Sequence, residues 1–173
     1  MSATTTLDRP HPGLLEWLAR HDVEYEIHEH SPAFTARAAA GAEGVDPRTF
    51  AKVVGVATQA GQNVLLILDA TDQVDLDKAR QVLDTADVRL LTEAELAALA
   101  PDCEAGAMPA VGSLFGLAMF ADHAVREDRD ISFNAGGHRF SVRVERAGWE
   151  RACDLVYADL TADSDARPAW ARS

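Results

Sequence analysis

The sequence predicts an α+β fold, a mixed and largely antiparallel sheet with helices packed around it. Three observations lead there. Two pairs of β-rich runs are each joined by a glycine-containing turn, the pattern of antiparallel hairpins. Helical periodicities fall between these pairs without a regular βαβα rhythm, which argues against a doubly wound parallel sheet. The chain has 173 residues, 47% of them hydrophobic and 6% aromatic, enough apolar material for one core and too little for two domains. Residues 1–160 are therefore read as one domain. Residues 161–173, polar and alanine-rich with Pro168, are read as a loosely held tail that Trp170 could pin.

Each element has its own local reason. Residues 12–21 predict a helix with Leu14, Leu15 and Leu18 on one face and Pro12 tolerated in the first turn. Residues 23–30 alternate Val23, Tyr25 and Ile27 against Glu24, Glu26 and His28, a strand pattern. Thr35 is a predicted N-cap for an alanine-rich helix ending near Gly41 or Gly44. Residues 50–58 and 63–70 predict a hairpin across 59–62, with Gly61 in the turn and the pair at the sheet's centre. Residues 75–83 and 92–99 predict two short helices, the second opened by Thr92 with Glu95 three residues on, a capping box. Residues 103–116, rich in glycine and proline, predict a long loop of the functional kind. A short strand at 117–121 follows. Strands at 130–135 and 138–145 then meet at Gly136-Gly137, and a final helix covers 147–156.

Charge narrows the partners. Sixteen basic residues against 28 acidic ones give −12, so the molecule as a whole repels polyanions, and any nucleic acid must be gripped locally. Only Lys52 and Lys78 are lysines. Two cysteines, Cys103 and Cys153, suggest neither a disulfide framework nor a zinc ribbon, so a reducing compartment, the cytoplasm, is expected. No secretory signal or run of roughly 18 apolar residues is present, so no membrane partner is expected. Nothing in the sequence sets the oligomeric state.

Strand alternation places Lys52 on the face of Phe50, Val54 and Val56. A lysine there is costly unless it is paired or faces a cavity that admits an anion. Two readings stay open: such a cleft, or a sheet edge from which the ammonium reaches water. By the same test His138 opens the row of Phe140, Val142 and Val144 directly after the glycine turn. It is either a hydrogen-bonded core histidine or a functional group beside backbone that a ligand can approach closely. His28 and His30 have a chelating H-x-H spacing, but no carboxylate or cysteine of matching register accompanies them, and no metal or other cofactor is expected. Cys103 lacks a Cys-His signature and reads as structural. The acidic clusters at 69–77 and 127–130 read as solvated turns.

Four segments in order, His30-Ser-Pro-Ala-Phe-Thr35, Phe50-Ala-Lys-Val-Val54, Cys103-Glu-Ala-Gly-Ala-Met-Pro-Ala-Val-Gly112 and Phe133-Asn-Ala-Gly-Gly-His138, together resemble the YbaK-type proteins. That family includes the editing domain inserted in bacterial prolyl-tRNA synthetases and free-standing aminoacyl-tRNA deacylases. The resemblance runs from about Leu14 to Leu155. It implies a strongly curved, partly barrel-like mixed sheet ringed by helices, with a cleft for the aminoacylated 3′ end of tRNA. It also implies hydrolysis, in trans, of the ester of a wrong, small amino acid such as alanine or cysteine on tRNA for proline. A synthetase is then a candidate partner. Lys52 matches the family's essential lysine, Gly106 the first glycine of its G-x-x-x-P loop, and His138 its glycine-associated histidine, which implies these three as the catalytic set. Thr35 matches a substrate-proximal threonine, and Ala110, Gly112, Gly136 and Gly137 join it as implied substrate-binding residues. The loop motif has proline where this chain has Ala110, with Pro109 just before it. The competing reading is a noncatalytic module binding a small ligand or nucleotide on the same fold.

Overall fold

Pro12 opens helix α1 (Pro12–Arg20), where a missing N–H costs nothing, and His11 Nδ1 accepts the Leu14 N–H at 3.2 Å as the cap. The computed structural model to which this helix belongs describes residues 7–162. Trp170 and the rest of the predicted tail from residue 163 lie outside them. Leu14, Trp17 and Leu18 form the buried stripe of α1. After β1 (Tyr25–Glu29), Thr35 caps α2 (Ala36–Glu43), its Oγ1 accepting the Ala38 N–H at 3.0 Å, and Gly44 ends the helix at φ +86°.

The predicted central hairpin is present. Strands β2 (Ala51–Thr58) and β3 (Asn63–Asp69) pair antiparallel from Ala51 with Asp69 to Ala57 with Asn63. Next come α3 (Leu76–Val82), β4 (Val88–Leu90) and α4 (Glu93–Leu99), the last opened by the predicted Thr92–Glu95 capping box. A 3₁₀ turn, Gly112–Phe115, closes the long loop before β5 (Ala118–Asp122). The chain ends in β6 (Asp130–Asn134), β7 (Phe140–Glu145), α5 (Arg146–Cys153) and β8 (Val156–Ala158).

These strands form two sheets, ordered β1-β7-β6 and β4-β2-β3-β5-β8. Only the β3–β5 and β5–β8 pairs are parallel, so the mixed, largely antiparallel α+β fold is as the sequence predicts. Among the described residues the sheets meet at a single bridge, Phe50 with Ser132, and the barrel-like closure implied by resemblance is not seen. The main core lies between α1, α5 and the two sheets, and includes the fully buried Trp149 and Phe133.

Four local expectations need correction. Strands β4 and β8, three residues each, were not predicted, because so short a run leaves no period-two signal. The turn at Gly136-Gly137 is part of a five-residue connection, 135–139. Its backbone is drawn outward: Gly136 N–H donates to the Ala107 carbonyl (3.0 Å), Gly136 C=O accepts from Glu104 (2.8 Å), and His138 C=O accepts from Ala33 (3.0 Å). Helix α5 stops at Cys153, where Asp154 turns to φ +51°. The acidic clusters are not simply solvated: Asp69 and Asp72 are buried, and Asp75 caps α3 through the Asp77 and Lys78 N–H groups. Thr161, the first residue of the predicted tail, is buried and bridges Val74.

Candidate active site at the seam of the two sheets

The Phe50–Ser132 bridge is parallel, so the residues two further on, Lys52 and Asn134, follow it on either side of the seam. No ladder continues there, and the strands part around a cleft of about 280 Å³. Lys52 and Val53 of β2 form one wall and Asn134 of β6 another. The start of α2 supplies Phe34, Thr35 and Ala36, the long loop supplies Gly106 and Met108, and α4 supplies Leu96. Leu96 reaches the strand because residue 55 is glycine, where a Cβ would lie 2.7 Å from its Cδ2. A larger, open groove of about 560 Å³ lies at the other end of β6 and β7 and contains none of the predicted site residues.

Of the eight predicted site residues, Lys52, Thr35 and Gly106 line the cleft. His138 flanks it: the ring is buried, packs on Phe34 at 4.7 Å between centroids, and places Nδ1 3.0 Å from the Ala33 carbonyl. Gly106, at φ +80°, leaves room beside that ring, with the His138 Cε1 3.7 Å from where a Cβ would be. Gly136 and Gly137 do not line the cleft. They let the Glu104 carboxylate and the Leu7–His11 segment pack against the turn, with a Cβ at Gly137 lying 2.7 Å from Glu104 Oε2. Ala110 and Gly112 are also outside the lining. Ala110 is fully buried with its carbonyl accepting the Trp149 Nε1–H at 2.7 Å, and a Cβ on Gly112 would collide with the Leu117 carbonyl.

Lys52 donates to the Asp72 carbonyl, and burial lowers its pKa below the ordinary lysine value, with the charge of Arg37 adding to that effect. Asn134 Oδ1 is buried with no hydrogen-bond partner among the described residues. Such an atom is costly unless a ligand supplies the missing donor. Burial raises Cys103 to about 12, which keeps it a thiol and a poor nucleophile. His28 Nε2 lies 3.5 Å from Glu26, His30 Nδ1 lies 2.8 Å from the Ser31 carbonyl, and no group of three metal-ligating side chains gathers among the described residues.

Sequence reasoning missed Asn134, Phe34, Leu96 and Met108 as cleft residues, and Glu104 as the tie between loops. Glu104 accepts the Leu7 N–H (2.9 Å) with one oxygen, and the His138 N–H (3.4 Å) with the other. Exposure of Phe34 at 72% is the oddity that marks it, and only the folded chain reveals it.

Fold and cleft define an α+β protein with a candidate site where two sheets part, lined by a lysine. The chain belongs to the aminoacyl-tRNA editing domain family, which matches residues 30–152. No curated protein matches it in sequence. Among solved structures it is similar to the hypothetical protein APE2540, with a TM-score of 0.78 and 17% identity over 86% of this chain and 99% of that one. It is also similar to a structure described as "a putative trans-editing enzyme for prolyl tRNA synthetase", with a TM-score of 0.75 and 20% identity over 90% of this chain and 99% of that one. At those identities the likeness is one of fold.

Proposed function

We propose that the protein is an aminoacyl-tRNA deacylase that hydrolyses, in trans, the ester of a wrong, small amino acid, alanine or cysteine on tRNA for proline. The observation that carries this is convergence. Thr35, Lys52 and Gly106, distant in sequence and each matched to a family motif, line one cleft in a chain of the editing family. The description of the trans-editing structure above supports action in trans. At about 280 Å³ the cleft sits below the usual range of about 300–1,000 Å³ for pockets that enclose drug-sized ligands. That suits a ribose with a small amino acid.

The ester of an aminoacyl-tRNA is already activated, so positioning and charge stabilisation suffice. Lys52, held by the Asp72 carbonyl, anchors the terminal phosphate or ribose as a cation. The unbonded Asn134 Oδ1 takes a ribose hydroxyl, a neutral donor that suits a cleft whose neighbouring charges, Lys52 and Arg37, are both positive. Backbone N–H groups near Gly106 orient the carbonyl. The water oxygen adds to the ester carbonyl carbon, the bond to the ribose oxygen breaks, and the proton released from water ends on that oxygen. His138, fixed through the Ala33 carbonyl and Phe34, shapes the amino-acid end of the site and is not needed as a base. A panel of mischarged tRNAs tests the reading: loss of ester from alanyl- or cysteinyl-tRNA for proline, with prolyl-tRNA spared, is expected. Turnover of no pair, together with tight binding of a small ligand, would favour the noncatalytic module.

A further inference from the structure

Strand β1 leaves an edge of the three-stranded sheet open. It lies outermost in the order β1-β7-β6, while β6 at the other end meets Phe50 at the bridge. Hydrogen bonds at the two ends of the β1–β7 ladder fix the direction of the β1 backbone. The His30 N–H donates to the Arg139 carbonyl at 2.9 Å, and the Glu145 N–H donates to the Glu24 carbonyl at 3.4 Å. The even-numbered residues of β1 therefore turn their backbone groups to β7, and Tyr25, Ile27 and Glu29 turn theirs outward. Among the described residues no other backbone pairs with those outward groups.

The side chains agree. Tyr25 and Ile27 stand opposite Val144 and Val142 on the apolar face, yet remain 38% and 45% exposed, since no strand follows on their other side. Soluble proteins usually blunt such edges by shortness, lysine or proline. The edge strands β4 and β8 have three residues each, whereas β1 has five and neither lysine nor proline.

The order Glu24-Tyr-Glu-Ile-His-Glu-His30 selects the partner. Laid antiparallel against a second copy with Ile27 opposite Ile27, this segment sets Glu26 opposite His28 and Glu24 opposite His30, on both sides of the two-fold axis. Ile27 with Ile27 and Tyr25 with Glu29, the residues with outward N–H and C=O groups, then meet as hydrogen-bonded pairs. Centring the pair on Glu26 sets that carboxylate against its own copy, an unfavourable contact of like charges. Centring on His28 sets Tyr25 opposite Ser31, beyond the strand. Within one chain the Glu26–His28 pair stays open: His28 Nε2 is 3.5 Å from Glu26 Oε2 and makes no hydrogen bond among the described residues.

We propose that β1 is a self-association edge: two copies pair their β1 strands antiparallel about Ile27, making one sheet that runs through both molecules. No residue of β1 lines the cleft, so this pairing is separable from hydrolysis there.

Sedimentation equilibrium of the full chain tests it, between about 1 and about 300 µM and at about 0.3 M salt, which screens the repulsion of two chains of −12. A monomer–dimer equilibrium with a Kd of about 10–100 µM is expected, the weak range of an interface built on one strand pair. His28→Glu sets carboxylate against carboxylate on both sides of the axis and should raise Kd at least about tenfold, with Tm nearly unchanged. Combining Glu26→His with His28→Glu restores the complementary pairs and should bring Kd back within about threefold of wild type. Register is read by mixing Glu26→Cys protein with His28→Cys protein under oxidation, both in a Cys153→Ser background. The mixture should cross-link, since the Cα atoms of a non-hydrogen-bonded pair lie about 4.5 Å apart, and neither variant alone should. A monomer at every concentration overturns the pairing, and so does a dimer whose Kd ignores His28→Glu or whose cysteine mixture stays uncoupled. If His28→Glu does not fold, the cysteine mixture alone decides.

Discussion

A single unbonded atom makes the sharpest prediction at the scale of residues. Asn134 Oδ1 is buried and has no partner among the described residues, so truncating the side chain costs no described hydrogen bond at that atom. Asn134→Ala should change stability by less than about 1 kcal/mol, read as a shift of a few degrees in Tm, and lower deacylation by about tenfold. A large fall in Tm with unchanged kcat/KM would make the residue structural. Asp128 predicts a pH effect. Burial raises its carboxyl from 3.8 to about 7 against the opposing pull of Arg143 and Arg146, while Asp46 and Glu127 add to the rise. Because the folded state binds the proton more tightly than the unfolded chain, this group weakens the fold as pH rises from about 4 through about 7. Asp128→Asn should therefore raise Tm at pH 8, by about 3 °C after allowance for partial exposure, with the gain vanishing toward pH 4. Thermal melts of both proteins across that range decide it.

Helix α2 is the element that ties the cleft to the rest of the fold. Its N-terminal end carries Thr35 and Ala36 to the cleft, and its last residue, Glu43, is buried against the three-stranded sheet. The Glu43 carboxylate accepts Ser132 Oγ at 2.6 Å and Ser141 Oγ at 2.5 Å, with Arg143 at 4.0 Å. Glu43→Ala takes the carboxylate acceptor from the Ser132 and Ser141 hydroxyls and the opposite charge from beside Arg143, and should cost about 3 kcal/mol, with a matching fall in Tm and weaker substrate binding as α2 loosens. Chemical denaturation and KM check the two effects. This helix also marks how far local reasoning reaches. Its N-cap Thr35 and glycine end were legible, as were the β2–β3 hairpin and the capping box of α4, because caps and turns are properties of a few adjacent residues. Glu43 carried no signal, since a mid-sequence glutamate is told from a solvated one only by what the sheet brings under it.

Across the whole molecule, the site exists because the strands form two sheets and not one. Alternation along β2 placed Lys52 with Phe50 and left open whether a cavity or solvent met it, and the parting of β2 and β6 beyond the Phe50–Ser132 bridge decides for the cavity. That parting depends on contacts across more than 80 residues of chain, so it could not be read from either strand alone. The same holds for Phe34, Leu96 and Met108, which nothing in the linear sequence marks as cleft residues. Ala110 shows the converse. It stood out in sequence as a departure from the loop motif, yet its fully buried side chain and its bond to Trp149 make it part of the scaffold behind the cleft. The central claim is that Lys52 anchors substrate in a cleft and is not needed for the fold. The direct test is deacylation of alanyl-tRNA for proline by wild type and Lys52→Ala side by side, with melting curves for both. Lys52→Ala should lose at least about 100-fold in kcat/KM with Tm held within a few degrees. Retention of most activity in Lys52→Ala would contradict it.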